Sequence, residues 1–292
     1  MNIRASRRRQ AKADLDAVEV INPNLKKRYS GVTAVNPNES EPPLMRQTLE
    51  IVQSICDMPL CIDSSVTSAL KMGLETAKGR PLVNSVTGEE EKLEAILPLV
   101  AKYNVPVVAI SNDETGISED PDVRFAVAKK IVERAADFGI KPHDIVVDPL
   151  VMPIGAMGTA GQQVFRLVRR LREELKVNTT CGASNVSFGM PNRRALTGYF
   201  LAMAASHGMT SAIMNPLHDE DMHAIFGANV LNGTDLNCKF WTNKFRDLAP
   251  APAASAQASG LVSSNEEIAA RRASGILMHV TSLPGPHGSG GT

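Results

Sequence analysis

Six compact polar side chains, Asp63, Asn84, Asp113, Asp148, Asn185 and Asn215, each stand at or just past the end of a short apolar run. Three are carboxylates, which accept hydrogen bonds; three are amides, which donate and accept without carrying charge. No His or Cys accompanies the set, which argues against a transition-metal site. Mg²⁺ held by carboxylates finds no support either. A planar heterocycle with an amino-amidine edge suits the set best, because one carboxylate accepts two parallel N–H bonds while nearby amides match the remaining donors and acceptors. For any one position the plainer reading is a helix cap or turn residue. For six together that reading weakens, since caps would as readily be Ser or Thr.

The elements that must position these residues can be read from the apolar pattern. The stretch TCGASNVSFGMPNRR, Thr180 to Arg194, reads as a strand that stops near Asn185 and turns, with Pro191 opening a helix from Asn192 to His207. Its small residues leave room for a flat ligand. The same strand–polar residue–helix unit recurs upstream: PLCI before Asp63, PLV before Asn84, VPVVAIS before Asp113 and DIVV before Asp148, with SAIM before Asn215 downstream. Helical patterns run from Pro43 to Cys56, Val66 to Ala77, Glu89 to Tyr103, from Pro121, with Val123, Val127, Ile131 and Ala135 on one face, and from Gln162 to Lys176. In the first of them Leu44, Met45, Leu49, Val52 and Ile55 are spaced for one face.

Short, wholly apolar strands that alternate with helices are what a parallel sheet covered on both sides produces. Six units are clear, and Val18 to Ile21 is a candidate seventh. The expected fold is α/β, a TIM (β/α)8-type barrel with its first strand missing or degraded; an open doubly wound sheet is second. In a barrel the carboxyl ends of all strands share one rim, so the six polar residues would meet at one mouth. No glycine-rich phosphate loop follows any strand, which weakens a nucleotide-binding reading.

The 292-residue chain carries 31 basic and 31 acidic residues, so nothing global attracts nucleic acid or an anionic membrane. Four irregularly spaced cysteines form neither a disulfide framework nor a zinc pair, and a reducing cytoplasm is expected. No apolar run approaches the roughly 20 residues of a membrane span. Four segments are expected: 1–30, a divergent or truncated start with a basic Arg7–Arg9 run; 31–247, the barrel; 248–260, an Ala/Pro/Ser linker; and 261–292, an appended tail.

In order and spacing, PLCIDSS, PLVNSVTGE, VVAISNDETG, DIVVDPLVMP, CGASNVSFGMPNRR and SAIMNPL resemble the pterin-binding methyltransferases that move a methyl group between tetrahydrofolate and the cobalt of a corrinoid protein. The likeness covers Gly31 to Asp247, and the nearest branch resembles the methyltransferases of methylamine and glycine betaine demethylation. It implies an eight-stranded barrel, usually a homodimer, with methyltetrahydrofolate as substrate and cobalamin carried by a partner protein. It further implies that Asp63, Asn84 and Asp148 hydrogen-bond the pterin ring and that Asn185 reaches its N5 as the methyl leaves or arrives. Ser187 and Arg193 match positions lining that pocket, and Asp113 falls in the family's D-E-x-G loop. Asn215 joins the expected binding set. Cobalt(I) would supply the nucleophile, so no Ser, Cys or Lys nucleophile is required.

The sequence departs from the family in places. The Glu-Arg-x-Asn motif of a first strand is absent, VEVINPN stands where the second strand would fall, and Phe188 replaces a polar side chain of some relatives. Arg271 to Gly288 resembles the opening of bacterial 4-alpha-glucanotransferases without their catalytic domain. The rival enzyme is a dihydropteroate synthase, which would need a pyrophosphate site with a Lys and a Gly/Phe-rich loop after a late strand, and the sequence shows no such loop. A folate-binding protein that has lost activity is the rival outside catalysis. Among other signals, His218 and His223 read as a solvated helix end and Arg166, Arg169, Arg170 and Arg172 as an exposed face. Cys61 and Cys181 read as buried spacers, and Phe240 and Trp241 as core or dimer packing.

Overall fold

The computed structural model describes residues 37–246, and the chain divides into two units between Lys244 and Phe245. The expectations for 1–30, for a strand at Val18 to Ile21, for the 248–260 linker and for the tail lie outside the described residues. Within them helix and strand alternate as far as Ser206, and only helices follow among the named elements. In order come α1 (Pro37–Ile55), β1 (Cys61–Asp63), α2 (Thr67–Thr76), β2 (Leu82–Val86), α3 (Glu90–Tyr103), β3 (Val107–Ile110), α4 (Pro121–Asp137) and β4 (Ile145–Asp148). There follow α5 (Ala160–Arg170), β5 (Asn178–Thr179), α6 (Arg193–Ser206), α7 (Asp219–Leu231) and α8 (Lys239–Phe245).

Each strand pairs in parallel with the one before it, in the order β1-β2-β3-β4-β5. The ladder continues one segment further. Ser211 donates its N–H to Thr179 O at 3.0 Å and Ile213 to Cys181 O at 2.8 Å, with a parallel bridge between Gly182 and Ile213. Six segments therefore wind in one direction. A doubly wound sheet must reverse its strand order at a switch point, and no reversal occurs here. The fold is the TIM-barrel type of winding.

The two faces of the sheet differ in chemistry because successive side chains point to opposite sides. Ile62, Val83, Val107, Ala109, Ile145 and Val147 face the helices and form one solvent-free core with Leu70, Leu93, Leu97, Ile131 and Leu167. The opposite face carries Asp63, Asn84 and Asp148. At β1 this division is enforced by Gly73 of α2: a Cβ there would stand 2.6 Å from Ile62 Cγ2 and 3.2 Å from its Cδ1. Gly73→Ala is expected to lower stability by about 1–2 kcal/mol, overpacking outweighing the gain in helix propensity. A fall in thermal midpoint would register it.

Several helical expectations shift by a face or a turn. Met45, Leu49 and Val52 are buried on α1, but Leu44 and Ile55 are half exposed. On α4, Val127, Ile131 and Ala135 are buried as the spacing predicts, whereas Val123 is exposed and Arg124 is buried in its place. The reason is geometric: Arg124, Ala128, Ile131 and Ala135 follow the i, i+4, i+7, i+11 stripe, and Val123 lies one residue off it. Asp120 caps α4 by accepting the Asp122 N–H at 2.8 Å, with Pro121 at the first helical position. The run expected as one helix from Gln162 to Lys176 begins at Ala160 and ends in a π-turn, Leu171–Leu175. Of the arginine face expected to be exposed, Arg166 and Arg169 are, whereas Arg170 and Arg172 are half-buried, Arg170 over the Phe125 ring and Arg172 donating to Val177 O. Arg166 and Arg170 pair with Asp122 at 3.0 and 2.7 Å. Phe240 and Trp241 are both exposed, so they are not core.

Candidate functional site

Register, not sequence distance, brings the polar residues together. Asp63 of β1 pairs with Asn84 of β2, Asn84 with Val108 of β3, and Val108 with Val146 of β4. All four side chains therefore share a face in one layer. Ile110 pairs with Asp148 one layer higher, two residues or about 7 Å along the strands. Adjacent strands are about 4.8 Å apart, so Asp63 on β1 and Asp148 on β4 stand three strand spacings apart, roughly 14 Å measured across the sheet, and the shared face between them is a broad bay.

The chemistry of these groups is set by what they lack. The side chains of Asp63 and Asn84 have no hydrogen-bond partner among the described residues. Burial raises the Asp63 carboxyl above its ordinary value. Asp148 spends Oδ1 on the Leu150 N–H at 2.8 Å and leaves Oδ2 free. Burial pushes the Asp148 carboxyl up to about 6, and the Leu150 bond pulls it back only in part. Carboxylates held in partial desolvation without a cation are poised to take N–H donors from a ligand.

Asn185 stands on the next loop, not at the end of a strand. The extended segment stops at Gly182 and a single 3₁₀ turn, Ala183–Asn185, follows, with Asn185 N–H bonded to Gly182 O at 3.1 Å. The amide of Asn185 is exposed and has no partner among the described residues. Gly182 makes room for it: a Cβ at that position would lie 3.0 Å from Asn185 Nδ2. The small residues of this stretch thus accommodate the protein's own amide first. Pro191 does not open the helix. Asn192, in the left-handed region at φ 48°, caps it, and α6 begins at Arg193.

Ser187 and Arg193 hold this loop. Ser187 is fully buried, 2.9 Å from Thr197 Oγ1, and donates to Ser184 O at 3.2 Å. Arg193 donates to Ser187 Oγ at 3.3 Å and to Ser184 O at 2.9 Å, with its guanidinium 5.5 Å from the centre of the exposed Phe188 ring. Asp113 and Asn215 are committed to their own turns. Asp113 accepts from Thr115 N at 3.0 Å and Oγ1 at 2.7 Å, bonds that hold its carboxyl below the usual range. Asn215 accepts the Leu217 N–H at 2.9 Å and sits 3.3 Å from His218 Nε2. Structure thus separates the six: Asp63, Asn84, Asp148 and Asn185 present free polar atoms, while Asp113 and Asn215 shape the loops beside them.

Two other expectations change here. The helix start at His218 is not wholly solvated, because Asp221 is buried with Oδ2 3.3 Å from His218 Nδ1. Among the described residues no cluster of His, Cys, Asp or Glu could hold a metal ion. The expectation of a buried spacer holds for Cys181 but not for Cys61, whose edge reaches solvent. The protein packed around Cys61 and then the Asp63 charge push that thiol up to about 12, so it stays protonated and is no nucleophile.

The matching family model, pterin binding enzyme, spans residues 30–215, and the chain belongs to that family. Among its relatives, the methylcorrinoid:tetrahydrofolate methyltransferase of Eubacterium limosum is 33% identical over 221 residues, covering 75% of this chain and 82% of that one. The methionine synthase of Mycobacterium tuberculosis is 30% identical over 172 residues, 54% of this chain but only 14% of the synthase. A dihydropteroate synthase of Yersinia pestis superposes with a TM-score of 0.55 at 16% identity, covering 77% of this chain and 87% of that one. One from Xanthomonas albilineans gives 0.55 at 17% identity, over 74% and 85%. At such identities the last two speak for the fold alone.

Proposed function

We propose that this chain is a methyltransferase that moves a methyl group between N5 of tetrahydrofolate and the cobalt of a corrinoid carried by a partner protein. One observation carries the reading: four side chains with unspent polar atoms, Asp63, Asn84 and Asp148 on one face of the sheet and Asn185 on the loop that follows it, in a chain 33% identical to a methylcorrinoid:tetrahydrofolate methyltransferase. The free Oδ2 of Asp148 and the carboxylate of Asp63 accept the amino and ring N–H donors of the pterin. Asn84 matches the remaining donor and acceptor on the same edge. Asn185 donates to N5. In transfer to cobalt the methyl–N5 bond breaks, its electron pair stays on N5 and takes a proton from solvent, and cobalt(I) supplies the pair for the new bond. Stabilising the growing charge on N5 is the protein's task, and a neutral amide does so in either direction.

The test is spectral. Mixed with methyltetrahydrofolate and cobalamin(I), the protein is expected to convert the corrinoid to methylcobalamin. An unchanged spectrum would reject the proposal, and condensation of p-aminobenzoate with a pterin pyrophosphate would replace it with synthase activity. A second expectation follows from Asp148. Its ionised form is the one that accepts N–H bonds, so as pH falls through about 6 the group takes a proton and the ligand loses its partner. Binding of methyltetrahydrofolate should weaken about tenfold per pH unit below that point. Calorimetric titrations from pH 8 to pH 5 would show it.

A further inference from the structure

Arg124 is among the largest solvent-free side chains of the protein, 1% exposed on α4; the charges of Asp120 and Glu119 act on it, but neither forms an ion pair with it among the described residues. Taking a guanidinium out of water costs several kcal/mol unless its donors are well used. Both terminal nitrogens are used, while Nε has no partner among the described residues. Nη1 donates to Pro149 O at 2.8 Å and to Leu150 O at 3.0 Å, while Nη2 donates to Gln163 Oε1 at 2.8 Å and Glu119 O at 3.2 Å. Pro149 and Leu150 are the two residues that follow Asp148. Leu150 holds φ 59°, a left-handed backbone that costs a branched residue about 1–2 kcal/mol. It persists because the surroundings over-determine it. The N–H of this same Leu150 ties down Asp148 Oδ1.

We propose that Arg124 is a positioning residue for Asp148: by locking the Pro149–Leu150 turn it fixes one carboxylate oxygen and aims the other into the bay, without itself touching the ligand. The fork geometry is the reason for Arg, since a single nitrogen reaches two successive carbonyls while a second branch is anchored on α5 through Gln163. The inference rests on the reading of the bay as a pterin site.

The test is a double-mutant cycle on the affinity for methyltetrahydrofolate, measured by calorimetry with Arg124→Lys, Asp148→Asn and the pair. Lys keeps the charge but loses the fork. Arg124→Lys alone is expected to weaken binding about tenfold and to raise KM while leaving kcat at saturation within about twofold, the pattern of lost ground-state binding. With Asp148→Asn already present, the same change should cost less than about twofold, because coupled residues do not add. Additive losses, or an unchanged affinity in Arg124→Lys, would overturn the proposal. If the Lys variant does not fold, Gln163→Leu removes one anchor of the fork from a less buried site; about threefold weaker binding supports the proposal and unchanged binding overturns it. Failure of the unaltered chain to bind methyltetrahydrofolate would show in the first titration and would overturn the reading of the bay, and this inference with it.

Discussion

Asn185→Ala is expected to slow methyl transfer about 100-fold while changing the affinity for methyltetrahydrofolate less than about threefold. The asymmetry follows from where the amide sits. Asp63, Asn84 and Asp148 lie on the strands and, in the proposed site, would meet the ring edge whether or not the methyl moves. Asn185 comes from the separate loop after the β5 ladder, and its side chain has no hydrogen-bond partner among the described residues. In the ground state N5 is a weakly basic tertiary amine, so a hydrogen bond to it contributes little. As the methyl departs, N5 gains electron density and the same bond strengthens. An interaction made mainly in the transition state lowers kcat when removed and spares binding. Single-turnover rates of methylcobalamin formation, beside calorimetric affinities, separate the two. A variant that transfers at the normal rate would remove Asn185 from the mechanism. One that fails to bind would make it an ordinary ring contact.

Much of this was legible in the residues, and the limits have physical causes. PLCID, PLVN and DIVVD announce themselves because a strand buried on both faces must be apolar throughout, so the first polar residue marks its end. Three of those ends, Asp63, Asn84 and Asp148, do share one face of the sheet. Asp113 and Asn215 carry the same signature, yet Asp113 bonds Thr115 and Asn215 bonds the Leu217 N–H. Sequence could not separate them, because an Asx turn and a ligand contact use the same short side chain for the same hydrogen-bonding capacity. Arg124 escaped notice for the opposite reason: a cation on a helix that opens PDVRF reads as solvent-facing, and only the packing of α4 against the turn after β4 buries it. A signal did exist, since Arg124 falls on the apolar stripe of Ala128, Ile131 and Ala135. The role of Gly182 was likewise hidden, because the space it leaves is filled by a neighbour three residues on.

Asp148→Asn carries the other large effect, and it acts on two measurements in opposite directions. Asn can keep the Leu150 N–H through its own oxygen, which turns Nδ2 toward the bay where Oδ2 had been. A donor then faces the N–H donors of the pterin edge. Losing a paired, charge-assisted acceptor and substituting a donor should weaken methyltetrahydrofolate binding about 100-fold, roughly 3 kcal/mol. Stability should move the other way. The carboxyl titrates at about 6 in the folded protein against an ordinary 3.8, so the fold binds the proton more readily than the unfolded chain does. Stability therefore falls as pH rises through that window, and above it the ionised group costs the empty protein about 3 kcal/mol. A neutral Asn removes that cost, so at pH 8 the thermal midpoint of the variant should match or exceed that of the unaltered chain. A residue kept only for the fold would show the reverse, with lost stability and no specific loss of ligand. The paired outcome of weaker binding and equal or greater stability is the signature of a carboxylate held at the expense of stability so that the pterin can supply its missing partners.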